Sequence, residues 1–223
     1  MSSPLFAIFL VGATVICFVA IAVWYMSAEQ VKKRTLTAAP LRSLAELADG
    51  EVGKIRGEVK LLGKALRGPL SRRKCAYWLV HVEEYESGDD SGRWVTVLKE
   101  ERGRDFLLLS DGAKVRVEMD GADVLGQTDH EQKSGTWNDA TPELEAFLAK
   151  RGLKSHGLLF NRNLRYREVV LEPGERVTAL GKLGSEEDPD PEEAGQGYRD
   201  SPKRRVIGPP SGARLIVSDL GDV

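Results

Sequence analysis

From Pro4 to Met26 the chain reads PLFAIFLVGATVICFVAIAVWYM, twenty-three residues without a charge. About 20 such residues carry a helix across the hydrocarbon core of a bilayer, so this run constrains the fold before any other feature does. It predicts a single transmembrane span over 4–26. Trp24 and Tyr25 stand at its C-terminal edge, where amphipathic rings favour the headgroup layer, and Lys32, Lys33 and Arg34 follow. The flank MSS on the other side carries no Lys or Arg. That asymmetry predicts the N-terminus outside and the rest of the chain in the cytoplasm. A cleaved secretory signal is the competing reading, but it asks for a basic n-region, a shorter apolar run and a small-x-small cleavage site. None of these is evident.

The sequence thus divides into an anchor with its basic stop (1–34), a juxtamembrane connector (35–49) with a helical turn or two in LRSLAELA, and a domain over 50–223. In the domain, short period-two runs alternate with Gly, Asp and Ser clusters, which is the pattern of antiparallel strands. Strands are expected over 54–62, 76–85, 94–100, 105–109, 114–118, 166–171, 176–183 and 214–218, with ESGDDSG (86–92) and SDG (110–112) as hairpin turns. One helix is expected over 142–151: Thr141 suits the cap, Pro142 the first turn, and Leu144, Phe147 and Leu148 share a face. The polar, Gly/Pro-rich stretches 126–138 and 184–205 read as mobile loops. The fold class is therefore mainly β (α+β). Gly50-Glu51 precedes Gly57 by the same seven-residue spacing that separates Gly174-Glu175 from Gly181. The echo reads either as two small barrel-like β units or as chance recurrence of the glycines that punctuate strands.

Charge and cysteine content exclude several classes. Lys plus Arg total 32 against 34 Asp plus Glu, a net charge of -2, so no global basic excess marks a nucleic-acid binder. Two cysteines, one inside the apolar run, cannot build a disulfide framework. With three histidines (His81, His130, His156) and no Cys-x-x-Cys or His-x-x-x-His spacing, neither a metal site nor a cofactor is expected.

Four segments carry a family resemblance. They are Gly57-Glu58-Val59; the block GPLSRRKCAYWLVHVEEY (68–85), with Pro69, Leu70 and Tyr77; FLLLSDGAKVRVEMDGADV (106–124); and RYREVVLEPGERVTALGKL (165–183), with Arg165, Tyr166, Glu168 and Gly174. Over about residues 50–219 the chain resembles the GIDE-type, or beside-a-membrane, domain of the mulan family of membrane-embedded ubiquitin ligases. The resemblance implies a β-rich domain held next to the bilayer. In those ligases ubiquitin transfer comes from a separate RING finger, which needs eight Cys/His zinc ligands in paired spacings. The residues after the anchor offer one cysteine and three histidines. The expected role is accordingly a non-catalytic, membrane-proximal interaction or scaffold module. A component of a ubiquitin-ligase-like system, or a thiol-dependent activity through Cys75, is the alternative.

Cys75 follows Arg72, Arg73 and Lys74, and neighbouring positive charge favours a thiolate. On a strand Cys75 shares a face with His81, but six residues at about 3.3 Å each put them roughly 20 Å apart, far beyond a nucleophile–base hydrogen bond. The structural reading, a packed or semi-exposed thiol, is preferred. The basic run has the better claim to function. Between Lys54 and Lys74 stand eight cations and one acid, Glu58. Near a bilayer this patch, Arg67, Arg72, Arg73 and Lys74 above all, would meet anionic lipid or an acidic protein partner. The plainer reading is a solvated face, or one neutralised by the acidic hairpin 83–101.

Overall fold

The computed structural model describes residues 29–87, 92–134, 141–153, 163–188 and 203–221. The expected span at 4–26 lies outside them; among the described residues no helix is long and apolar enough to cross a membrane. The chain divides into two units, and residues 29–40 belong to the first. There residues 29–38 are helical (α1), where the sequence predicts a connector from 35. Lys33 pairs with Glu29 one turn back at 3.2 Å, and the Thr35 and Thr37 hydroxyls donate to the carbonyls of Val31 and Lys33.

The second unit, Leu41–Asp222, holds everything else. In chain order it carries a 3-10 turn (Leu44–Glu46), β1 (Val52–Leu61), β2 (Leu66–Arg67), β3 (Lys74–Cys75), β4 (Tyr77–Glu86), β5 (Arg93–Gly103), β6 (Phe106–Ser110), β7 (Ala113–Val117), β8 (Asp123–Leu125), β9 (His130–Ser134), α2 (Pro142–Ala149), β10 (Leu164–Leu171), β11 (Arg176–Glu187), β12 (Lys203–Gly208) and β13 (Ile216–Ser218). Five strands close a barrel in the order β1-β6-β7-β12-β11, with β11 returning to β1. β13 and β8 extend it from β11. Every neighbouring pair in the ring is antiparallel except β7–β12. A separate sheet runs β5-β4-β10-β9, and β2 and β3 form a small hairpin.

Alternation builds the barrel core. In β6, Phe106 and Leu108 point inward while Leu107 and Leu109 are half-exposed. They meet Ile55, Val59, Val115, Val117, Val177, Ala179 and Ile207. Leu44 and Leu47 join this core, so residues assigned to the connector belong to the domain. Asp111 (φ 51°) and Gly112 (φ 77°) make the expected Asp-Gly turn between β6 and β7. A second core lies between the four-stranded sheet and α2: Trp78, Val80 and Val82 pack with Tyr166, Val170, Leu144, Phe147 and Leu148. Thr141 occupies the N-cap of α2 without a side-chain capping bond, and the helix ends at Ala149.

Three expectations are corrected. The two barrel-like units are one closed barrel beside an open sheet, and the echoed glycine segments are the paired strands β1 and β11 of that barrel. The loop expected over 126–138 contains β9, a polar strand hydrogen-bonded to β10. The loop expected over 184–205 is strand at both ends, since β11 continues to Glu187 and β12 begins at Lys203; residues 135–138 and 189–202 lie outside the described residues.

Candidate functional site

The hairpin of β2 and β3 pairs Leu66 with Cys75 and Arg67 with Lys74, and residues 68–73 cross between them. Gly68 N–H donates to the Arg73 carbonyl at 2.9 Å and Arg72 N–H to the Gly68 carbonyl at 3.0 Å, with Arg72 in the left-handed region (φ 61°). Three consecutive cations repel one another, so this loop needs support from outside. Glu168 supplies it. Its carboxylate, on β10 and 0 % exposed, accepts from Leu70 N–H at 2.8 Å and from Ser71 N–H at 2.9 Å. A Cβ at Gly68 would stand 2.5 Å from Ser71 Oγ and 3.1 Å from both Glu168 oxygens, so the close approach requires glycine. The two motif segments that carry the family resemblance, at Pro69-Leu70 and at Arg165-Tyr166-x-Glu168, therefore meet in space.

The loop presents Arg67, Arg72, Arg73 and Lys74, all exposed. Arg73 donates to Glu172 at 3.1 Å, and that bond, with the Glu172 charge, lifts its affinity for the proton. Arg67 donates to the Arg72 carbonyl at 3.3 Å. Among the described residues Arg67, Arg72 and Lys74 form no ion pair. Four carboxylates of the 83–101 hairpin are directed elsewhere: Glu83 to Arg165 and Arg167 (2.8 and 2.6 Å), Glu86 to Arg93, Glu100 to Arg151, Glu101 to the Tyr77 hydroxyl. None of these reaches the loop. The patch is also narrower than the run 54–74, because Lys54 is 6 % exposed on β1 and burial, with Arg56 nearby, loosens its proton.

Cys75 is 0 % exposed and packs with Trp78, Val80 and Val82 rather than on the Tyr77 face. A bend at Ala76 shifts the phase of the strand, an irregularity that alternation alone does not reveal. Burial first, then the fields of Glu168 and Glu172, push the thiol up to about 12. The expected promotion of a thiolate by neighbouring cations is thus outweighed. His81 is engaged with the Thr96 hydroxyl at 2.8 Å. Among the described residues no cluster of three or more His, Cys, Asp or Glu could hold a metal ion.

The remaining motif residues are structural. Tyr166 is buried with its hydroxyl 3.3 Å from Ser134 Oγ, and Tyr77 donates to Glu101 at 2.6 Å across β4 and β5. Arg165 bridges Glu83 and the face of Trp94, 4.3 Å from the ring centre. Gly174 (φ 89°) turns the chain from β10 into β11, and its N–H donates to Val59 of β1 at 2.8 Å.

Absent from the sequence reading is the helix wall beside the loop. Pro69 and Arg72 face Ala146, Phe147, Lys150 and Arg151 of α2 and its end across a cleft of about 170 Å³, with Glu143 on the rim. Some eighty residues separate the two walls, and no local signal announces that they meet. No protein-family model, curated protein or solved structure shows a significant match to the chain.

Proposed function

We propose that this chain is a single-pass membrane protein whose β-rich domain, of GIDE type, works beside the bilayer on the cytoplasmic side as a non-catalytic binding module. The observation that carries the reading is the loop 67–74. It projects Arg67, Arg72 and Lys74 without ion pairs among the described residues, on a backbone fixed by the buried Glu168. A buried carboxylate is costly to desolvate, and its two charge-assisted backbone bonds offset that cost while they fix the loop. Near an anionic membrane surface each such cation contributes about 1 kcal/mol. The packed, strongly protonated Cys75 gives thiol chemistry no support.

Flotation of the 41–222 unit tests the reading. It is expected to rise with vesicles of phosphatidylcholine and phosphatidylserine, to release as salt shortens the Debye length from about 10 Å at 0.1 M, and to ignore pure phosphatidylcholine. The R67E/R72E/K74E variant is expected to stay behind with an unchanged melting temperature. Absence of salt-sensitive binding by the wild-type unit overturns the reading.

A further inference from the structure

The cleft between the loop and α2 carries an inference that rests on the reading above and sharpens it. We infer that it takes the phosphate of an anionic phospholipid headgroup, so that the domain binds lipid at a defined site and not only as a charged surface.

Its two walls differ in origin and agree in chemistry. Arg72 stands on the loop wall, Lys150 on the helix wall, and among the described residues neither forms an ion pair. A guanidinium offers a planar fork and an ammonium a compact point charge, a pair of donors suited to the several oxygens of one phosphate. Arg151 adds a third cation, already committed: it pairs with Glu100, and its guanidinium lies 3.5 Å over the Phe147 ring. Glu143 is the one carboxylate of the lining, two helical turns from Lys150 on the stripe that Ala146 and Phe147 share. The cleft therefore keeps an excess of positive charge around an apolar floor of Phe147, Ala146 and Pro69, where the glycerol carbons of a headgroup would rest. At about 170 Å³ it is smaller than the 300–1,000 Å³ of small-molecule sites, and of a size for a headgroup. The bilayer is the source because the chain brings its own: of the fourteen residues between Met26 and Leu41, ten form α1, a tether of at most about 30 Å.

The test uses the full chain in nanodiscs, with acylation of Lys74 and Lys150 followed by mass spectrometry. Replacing phosphatidylcholine discs by discs containing phosphatidylserine is expected to slow acylation of both lysines, that of Lys150 by about fivefold, the equivalent of one surface cation's contribution. Ala146 is exposed, so Ala146→Phe fills the cleft without changing charge or threatening the fold. That variant is expected to lose the protection of Lys150 and keep that of Lys74. Soluble glycerophosphoserine, which carries the same phosphate, is expected to protect Lys150 in pure phosphatidylcholine discs and to leave Lys74 reactive. Protection of Lys74 without Lys150, or an Ala146→Phe variant that behaves as wild type, overturns the cleft and leaves the surface reading standing. Protection of Lys150 by inorganic phosphate but not by phosphatidylserine discs replaces the lipid by free phosphate and overturns the source. Protection of neither lysine overturns both the cleft and the reading on which it rests.

Discussion

At the scale of the residue, Glu168 sets the geometry of the candidate site. Two backbone donors of the basic loop end on one carboxylate buried in β10, and bonds to a charged acceptor contribute about 1.5–3 kcal/mol each. Glu168→Ala leaves both N–H groups without their acceptor and is expected to lower the unfolding free energy by about 3 kcal/mol; Glu168→Gln, which retains one acceptor oxygen, by about half of that. Urea denaturation reads both, and an alanine variant as stable as wild type contradicts the assigned role. The sequence marked Glu168, Pro69 and Leu70 only as parts of a resemblance. Their physical relation was not legible, because it depends on register between β10 and a loop 98 positions away. A structural role for Cys75 was legible, but its full burial, which follows from the bend at Ala76, was not.

At the scale of the element, the echoed Gly-Glu segments have a shared physical cause. Gly50 N–H donates to Leu183 O and Leu183 N–H to Glu51 O; at the other end of the same strand pair, Gly174 N–H donates to Val59 O and Val59 N–H to Glu175 O. Each strand is thus tied where its partner begins. Seven residues on, Gly57 and Gly181 pass under a neighbouring backbone: a Cβ there would lie 2.3 Å from the Leu109 carbonyl and 2.5 Å from that of Gly208. Backbone cannot yield as a side chain does, so Gly57→Ala and Gly181→Ala are each expected to destabilise by about 2–4 kcal/mol. Gly184→Ala, whose nearest atom would be a Val206 methyl at 3.5 Å, is expected to stay within about 0.5 kcal/mol. Melting curves that rank Gly184→Ala with the other two contradict this account. β4 and β10 were legible because their apolar residues alternate onto a buried face. β9 (HEQKS) was not, since it lies at the sheet edge with polar residues on both faces, and β12 was not, since Arg204 enters it through ion pairs with Glu186 on β11.

At the scale of the whole molecule, an apolar run and a short basic segment precede a barrel-and-sheet domain that is acidic overall while its 67–74 loop is basic. The mainly β class was legible from alternation and turn residues; closure of the barrel was not, because the β1–β11 pairing spans more than a hundred residues of intervening sheet. The proposed topology, with the domain on the cytoplasmic side of a membrane spanned by 4–26, rests on Lys32, Lys33 and Arg34 following the apolar run. The most direct test is a pair of reporter fusions after Val223, one reporter active only in the cytoplasm and one only after export. The account predicts activity of the cytoplasmic reporter in the membrane fraction and silence of the exported one. Activity of the exported reporter, or recovery of the cytoplasmic fusion free of membrane, contradicts it.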